Sequence, residues 1–217
     1  MKLIAVNGSP RKEGNTAILL SHAMQGAASK GFETERVDLC NLNFKGCISC
    51  FACKLKDGKS YGKCAVQDEL SPVLAKIYES DALLLGSPNY IGSPTGMMKA
   101  FIERLVYPYI VYDPNWSTLF PKKIPVVFIY TMSSSADWMK KMGYDQSTFF
   151  LENIFKLFFG SAQSVIVNDT SMFDDYSKYV SSRFDQVEKA KIHAEQFPIE
   201  CKKAFDIGAG LADSVEQ

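Results

Sequence analysis

Gly8-Ser9-Pro10-Arg11-Lys12-Glu13-Gly14-Asn15-Thr16 stands between the apolar run Leu3-Ile4-Ala5-Val6 and a helix-like stretch from Thr16 to Ala28. A loop in that position gathers its backbone amides and its Ser, Asn and Thr side chains at a helix N-terminus. Unpaired amides and the helix dipole both favour an anion there. Gly8 and Gly14 let the backbone approach closely, and Pro10 stiffens the turn. A second loop of the same kind, Ser87-Pro88-Asn89-Tyr90-Ile91-Gly92-Ser93-Pro94-Thr95-Gly96, leaves the apolar run at 82–87 and opens the helical pattern at 95–105.

Outward from these loops, apolar runs alternate with helical patterns along the whole chain, the signature of a parallel sheet covered by helices. Strands are expected at 2–7, 33–38, 82–87, 124–131 and 164–167. The first, third and fourth are almost continuously apolar, as buried central strands are. Helices are expected at 16–30, 70–79, 95–105, 149–159 and 176–197, with a short extra helix in the tail at 199–211. In the helix at 176–197, Tyr176, Val180, Phe184, Val187, Lys191 and Ala194 recur at three- and four-residue steps, a stripe that would pack on the sheet. The predicted fold class is α/β, a flavodoxin-like three-layer sandwich with a five-stranded parallel sheet in the order 2-1-3-4-5. In that order the ends of the first and third strands flank the crevice where ligands bind. The two glycine-bearing loops leave those two strands.

A chain of 217 residues, 47% hydrophobic, suits one large domain. It is expected to be a single unit over 1–217 with a cysteine-rich insertion at about 40–66 and a helical tail at about 176–217. Lys plus Arg and Asp plus Glu number 24 each, so no basic face for nucleic acid is expected. No apolar stretch reaches the roughly 18 residues that span a bilayer, and the N-terminus does not resemble a secretory signal. A cytoplasmic protein with neither a nucleic-acid nor a membrane partner is the expectation. The connection at 106–125 is long and proline-containing, as lids and subunit contacts often are.

A ligand in the crevice would place a phosphate at the first loop and a flat body at the second, which suggests a flavin nucleotide. Ser9, Arg11, Asn15 and Thr16 would hold the phosphate, and Pro88, Asn89, Tyr90, Ile91 and Gly92 would border the ring. The competing reading is that both loops are ordinary strand-to-helix turns, which favour Gly, Ser, Asn and Pro for their own reasons. Gly8-Ser9-Pro10-Arg11 with Gly14-Asn15-Thr16, and Gly86-Ser87-Pro88-Asn89-Tyr90 with Thr95-Gly96-Met97-Met98-Lys99-Ala100-Phe101, resemble the NADPH-dependent FMN reductase family, nearest its iron-sulfur flavoprotein branch. The resemblance implies non-covalent FMN reduced by NADH or NADPH. It also implies a quinone, azo or nitro compound, flavin or protein as electron acceptor, and assembly as a homodimer or homotetramer. It adds a third loop after the fourth strand, Thr131, Met132 and Ser133, to the flavin contacts. No separate acid or base is implied, since the flavin carries the chemistry. The Gly-x-Gly-x-x-Gly fingerprint is absent, so the nicotinamide is expected to visit the flavin face transiently, with Tyr90, Trp116 and Trp138 as candidates to wall it.

Six cysteines occur, and Cys47, Cys50, Cys53 and Cys64 lie in one segment. Three thiols at steps of three, then a fourth after ten residues, suit a [4Fe-4S] cluster, a zinc site or metal-free redox thiols. The segment resembles the cluster-binding stretch of iron-sulfur flavoproteins, with a longer insert before the fourth cysteine. Cys40 and Cys201 read as small hydrophobes. Asp68-Glu69 and Asp174-Asp175 read as helix caps. Phe149-Phe150-Leu151 and Phe155 to Phe159 make a stripe more apolar than one sheet-facing side requires, which suits a partner subunit or burial within the chain. Two other function classes stay open: an electron-transfer module between proteins, and a thiol or zinc redox sensor without flavin.

Overall fold

The computed structural model describes residues 1–215. In chain order the elements are β1 (Lys2–Asn7), α1 (Asn15–Ser29), β2 (Glu33–Asp38), α2 (Ser71–Glu79), β3 (Ala82–Tyr90), β4 (Ser93–Pro94), α3 (Gly96–Val106), β5 (Ile124–Thr131), α4 (Ala136–Met142), α5 (Tyr144–Phe159), β6 (Gly160–Val167) and α6 (Gln186–Val215). Five strands form a sheet in the order β2-β1-β3-β5-β6, each neighbouring pair parallel. This is the flavodoxin-like order expected from the sequence. The sixth strand, β4, is a two-residue antiparallel partner that folds back on the end of β3.

Alternation along the central strands divides the core between two faces. Ile4, Val6, Leu83, Leu85, Val126, Phe128 and Tyr130 point to one face, where α2, α3 and α5 bring Val73, Ile77, Phe101, Ile102, Leu151 and Phe155. Leu3, Ala5, Leu84, Val127 and Ile129 point to the other, where α1 brings Leu19, Leu20 and Ala23 and α6 brings Cys201, Ala204 and Leu211. Strands buried on both faces have no solvent side to mark with polar residues, hence their unbroken apolar runs. Among the described residues no helix is long and apolar enough to cross a membrane.

The C-terminal third departs from the sequence expectation. No helix spans 176–185: Tyr176–Lys178 is a 3-10 turn capped by Asp175, and α6 begins at Gln186 with Asp185 accepting from the Glu188 amide. The proposed stripe does not form. Val180 and Val187 are fully or largely exposed, while buried Tyr176 and half-buried Phe184 join Phe173 and the exposed Tyr179 in an aromatic knot. Stacking of Phe173 on Tyr179, with centroids 4.0 Å apart, rewards a compact loop that a helix would pull apart. Pro198 does not end the helix either; α6 runs through it to Val215. Its C-terminal half is fixed by packing on α1, which outweighs the hydrogen bond that proline removes.

β6 starts at Gly160, before the expected 164, because its first residues are polar and lie on a sheet edge. α4 was not anticipated from the polar stretch after β5, and α5 begins at Tyr144, ahead of the expected 149. Asp68 accepts from the Leu70 amide at 3.1 Å and so caps the turn that leads into α2, which itself starts one residue later, at Ser71, without a side-chain cap. Phe149 and Phe150 are exposed at the surface.

Candidate functional site

Three loops leave the C-terminal ends of β1, β3 and β5 side by side, and hydrogen bonds lock them together. The Gly8 amide donates to the Gly86 carbonyl at 2.8 Å, and the Thr95 hydroxyl donates to the Gly8 carbonyl at 2.7 Å. Thr95 also caps α3 by accepting from the Met98 amide, and its own amide donates to Ser87 Oγ. On the far side Thr16 Oγ1 lies 2.7 Å from Thr131 Oγ1, both groups buried, which ties the start of α1 to the end of β5. Gly8 needs its missing side chain here: a Cβ would meet Met98 Cβ at 2.8 Å.

The first loop is shaped from within. Asn7, wholly buried, accepts from the Ser9 amide through Oδ1 and donates to Asp38 through Nδ2, and Ser9 Oγ accepts from the Arg11 amide. α1 then begins at Asn15 with no side chain capping it. Its first-turn amides therefore face the loop without an intrahelical partner, the arrangement that receives an anion. Ser9 and Thr16 are buried at this point. Arg11 and Asn15 reach across the loop, donating to the carbonyls of Met172 and Ser171 at 2.6 and 2.8 Å. The segment after β6 thus lies over the first loop, held by two of the residues singled out for phosphate.

The second loop is a hairpin. Ile91 and Gly92, both at positive φ, form a two-residue I′ connection between Tyr90 and Ser93, and Asn89 Oδ1 accepts from the Gly92 amide. Gly92 rests on Tyr144 at the start of α5. Asn89 Nδ2 is buried without a hydrogen-bond partner among the described residues, a donor left for something the chain itself does not supply. Pro88 pairs in the ladder with Thr131, so second and third loops share a register. Met132 is buried with its amide on the Val167 carbonyl, and Ser133 lies at the rim. Tyr90 is half exposed and Ile91 is 99% exposed.

Ile91 is β-branched and holds φ at 55°, which costs about 1–2 kcal/mol in the left-handed region. Its side chain buries nothing within the chain. Ile91→Asn, the residue an I′ turn prefers, is expected to raise stability by about 1 kcal/mol, measurable by urea unfolding. A fall in stability would mean that Ile91 packs on something in the folded protein.

The family comparison rests on this region. Residues 1–141 match the family described as NADPH-dependent FMN reductase. The chain belongs to that family. An iron-sulfur flavoprotein of Methanocaldococcus jannaschii is 38% identical over 104 residues, 48% of this chain and 51% of that protein. One from Archaeoglobus fulgidus is 40% identical over 104 residues, 48% of each. The matched stretch of this FMN reductase family member spans about half the length of those curated relatives. Among solved structures, the NAD(P)H:quinone oxidoreductase of Methanothermobacter marburgensis superposes with a TM-score of 0.71 at 14% identity, covering 97% of this chain and 98% of that one. An FMN-dependent NADH-azoreductase from Bacillus anthracis gives 0.66 at 13%, covering 97% and 99%. At these identities the likeness is one of fold.

In this reductase-family chain the second cluster of chemistry is the cysteine segment between β2 and α2. Cys47, Cys50, Cys53 and Cys64 line one depression together with Phe51, Arg104 and Tyr107. Cys47 and Cys50 are exposed, Cys64 is half-buried and Cys53 is buried. Among the described residues no three of Cys, His, Asp or Glu stand arranged as a ready ligand set. Burial pushes the Cys53 thiol up; the Lys54 ammonium pulls the other way, and nearby Cys50 and Cys64 add to the rise. Lys54 in turn donates to the carbonyls of Tyr107, Pro108 and Ile110, pinning the long connection after α3 to the cysteine segment. Trp116, one candidate for the flavin wall, lies in that connection edge-on to Tyr112.

Both clusters share α3. Its first turn is capped by Thr95 at the loop junction, and near its other end Glu103 accepts from the Cys47 amide while Arg104 Nε donates to Cys64 Sγ. Beyond the third loop, a cavity of about 300 Å³ is lined by Ser133, Trp138, Asp169, Arg183 and Lys189. The Arg183 guanidinium lies 3.9 Å over the Trp138 ring, and buried Lys189 bridges Asp169 and the Ser133 carbonyl. Thr95, Asn7, Arg104 and the carbonyls of Ser171 and Met172 were not singled out from the sequence. Thr95 alone had a signal, a threonine directly before a helical pattern.

Proposed function

We propose that the chain is an FMN-dependent NAD(P)H oxidoreductase, with the flavin held where the loops after β1, β3 and β5 meet. The observation that carries the reading is the uncapped start of α1 facing Ser9 and Thr16, together with the unpartnered Asn89 amide on the neighbouring loop. One offers amides to a phosphate, and the other offers a donor to the polar edge of a flat ring. When bound, FMN supplies two-electron acceptance from a nicotinamide and delivery of those electrons onward. The chain's own part is to bind and orient. Ser9, Asn15, Thr16 and the α1 amides hold the phosphate, and Arg11 adds its charge once it leaves the Met172 carbonyl. Pro88, Asn89, Tyr90, Ile91 and Gly92 border the ring, and Thr131, Met132 and Ser133 close its far edge. The cavity walled by Trp138 and Arg183 adjoins Ser133 and suits the approach of the coenzyme.

The shared helix α3 favours a relay within this reading. Cys47, Cys50, Cys53 and Cys64 have the donor chemistry of a [4Fe-4S] site and line one depression, and as ligands they would have to draw closer than they stand in the folded chain. A cluster there would pass electrons between flavin and a protein acceptor, and without it a quinone, azo or nitro compound or free flavin would be the acceptor. Zinc would fit the same thiols without redox work. A cytoplasmic homodimer or homotetramer belongs to the same proposal, and the exposed Phe149 and Phe150 suit a subunit contact.

Anaerobically purified protein is expected to carry FMN and to lose its flavin absorbance on addition of NADPH or NADH. Colourless protein that takes up no FMN would overturn the assignment. Ser9→Ala with Arg11→Ala is expected to weaken FMN binding on the order of 100-fold, because two partners of a charged group are lost. Fluorescence titration of the folded double variant reads this directly, and an unchanged affinity would put the phosphate elsewhere.

A further inference from the structure

The ten residues between Cys53 and Cys64 should carry the fourth thiol away from the other three, yet it returns. Part of the return is local: the insert coils through a series of tight turns, and the Gly62 amide donates to the Cys53 carbonyl at 3.0 Å. The rest is done by one side chain from another element. Arg104 on α3 has a side chain with no solvent exposure at all. Its Nε donates to Cys64 Sγ at 3.4 Å, its Nη1 to the Lys45 carbonyl at 3.2 Å and to the Asp68 carboxylate, and its Nη2 to the Val66 carbonyl at 3.1 Å. Lys45 precedes the first cysteine of the set, and Cys64, Val66 and Asp68 include and follow the last. Four of the five guanidinium donors are thus used to draw the two ends of the segment onto one point.

We infer that Arg104 is the positioning residue of the cysteine pocket, the group that brings Cys64 across its long insert to stand with Cys47, Cys50 and Cys53. A buried guanidinium costs several kcal/mol in desolvation, and an apolar residue would fill the same face of α3 beside Phe101 and Leu105 more cheaply. What the apolar residue cannot do is hold four acceptors at fixed angles. Lysine cannot either, because its three donors radiate from one atom and do not span carbonyls on two strands of chain. Glu103, the residue before it, accepts from the Cys47 amide, so adjacent positions on one helix hold the backbone of the first cysteine and the thiol of the last. The consequence for iron rests on the cluster reading above; the gathering of the thiols does not.

The test compares wild type with Arg104→Lys and Arg104→Gln, each checked for fold by circular dichroism. After anaerobic reconstitution, iron and acid-labile sulfide per chain are expected to fall about tenfold or more in both variants, with FMN content retained. A second readout needs no metal. Metal-free protein is treated with a diazene oxidant, which takes two protons and two electrons from a thiol pair, and the disulfides are mapped by mass spectrometry. Wild type is expected to give disulfides that include Cys64, and the variants to leave Cys64 free for alkylation. Wild type that takes no iron but pairs Cys64 in an Arg104-dependent way would remove the cluster and keep the positioning role. Equal iron and an equal disulfide map in the Lys variant would overturn the inference and leave the cluster standing. Should the Gln variant fail to fold, the Lys variant decides.

Discussion

Gly208→Ala is expected to destabilise the protein by about 3 kcal/mol or more, although in an isolated helix the same change gains about 1 kcal/mol. The reason is the crossing of α1 and α6. A Cβ at Gly208 would lie 1.9 Å from the Ala23 carbonyl oxygen, and one at Gly26 would lie 1.9 Å from the Phe205 carbonyl oxygen. Each helix therefore seats its backbone on the other's glycine. No rotamer change relieves such a clash, because the obstructing atoms are main chain. The helices must separate, opening the layer in which Cys201, Ala204 and Leu211 pack with Leu19, Leu20 and Ala23. At this chain length the loss corresponds to a fall in Tm of about 10 °C. Limited proteolysis should cut the variant within α6 before any other element. A Tm at or above that of wild type would show that the two helices do not cross this closely. The effect should extend to the site, since α1 presents its N-terminus to the first loop, so flavin affinity is expected to fall with stability. Gly26→Ala, at the reciprocal position, should do the same.

These glycines illustrate what was legible in the sequence and what was not. Continuous apolar runs at 2–7, 82–87 and 124–131 identified the central strands because burial on both faces leaves no other composition possible. Loops rich in Gly, Ser, Pro and Asn marked the junction at the C-terminal ends of β1 and β3 because tight turns at helix starts need those residues. Gly26 and Gly208 carried no such signal: a glycine inside a helix reads as a cost, and only the facing backbone gives it a reason. Arg104 was hidden likewise, since one charged residue on an amphipathic helix looks the same whether it meets solvent or a buried carboxylate. Its partner Asp68 would be pushed up by burial, but the Arg104 guanidinium overrides this and holds the carboxyl below its ordinary range. Main-chain contributors such as the Ser171 and Met172 carbonyls have no residue-type signature at all. The misplaced start of α6 has a different origin: Tyr176, Val180, Phe184 and Val187 happen to fall at helical spacing, and an aromatic knot competed for two of them.

Thr95→Val is expected to destabilise the protein by about 2–4 kcal/mol and to weaken FMN binding about tenfold, whereas Thr95→Ser should stay within about 1 kcal/mol of wild type. Valine keeps the shape and removes only the hydroxyl. That hydroxyl is 98% sequestered with its residue, donates to the Gly8 carbonyl at 2.7 Å and accepts from the Met98 amide at 3.3 Å. Its loss strands a buried carbonyl in the first loop and an orphan amide in the first turn of α3. The cap alone is worth about 1 kcal/mol, and the unsatisfied carbonyl adds about 1–3. Neither group can turn to solvent without moving the loop, because the Gly8 amide remains tied to Gly86. Serine restores both bonds and forfeits only a methyl group, so the pair of variants separates hydrogen bonding from packing. If flavin sits across the junction, its affinity must follow the hydroxyl: retained with serine, reduced with valine. Equal FMN affinity in all three proteins, with the valine variant still destabilised, would mean that the junction holds the fold together without forming the ligand site.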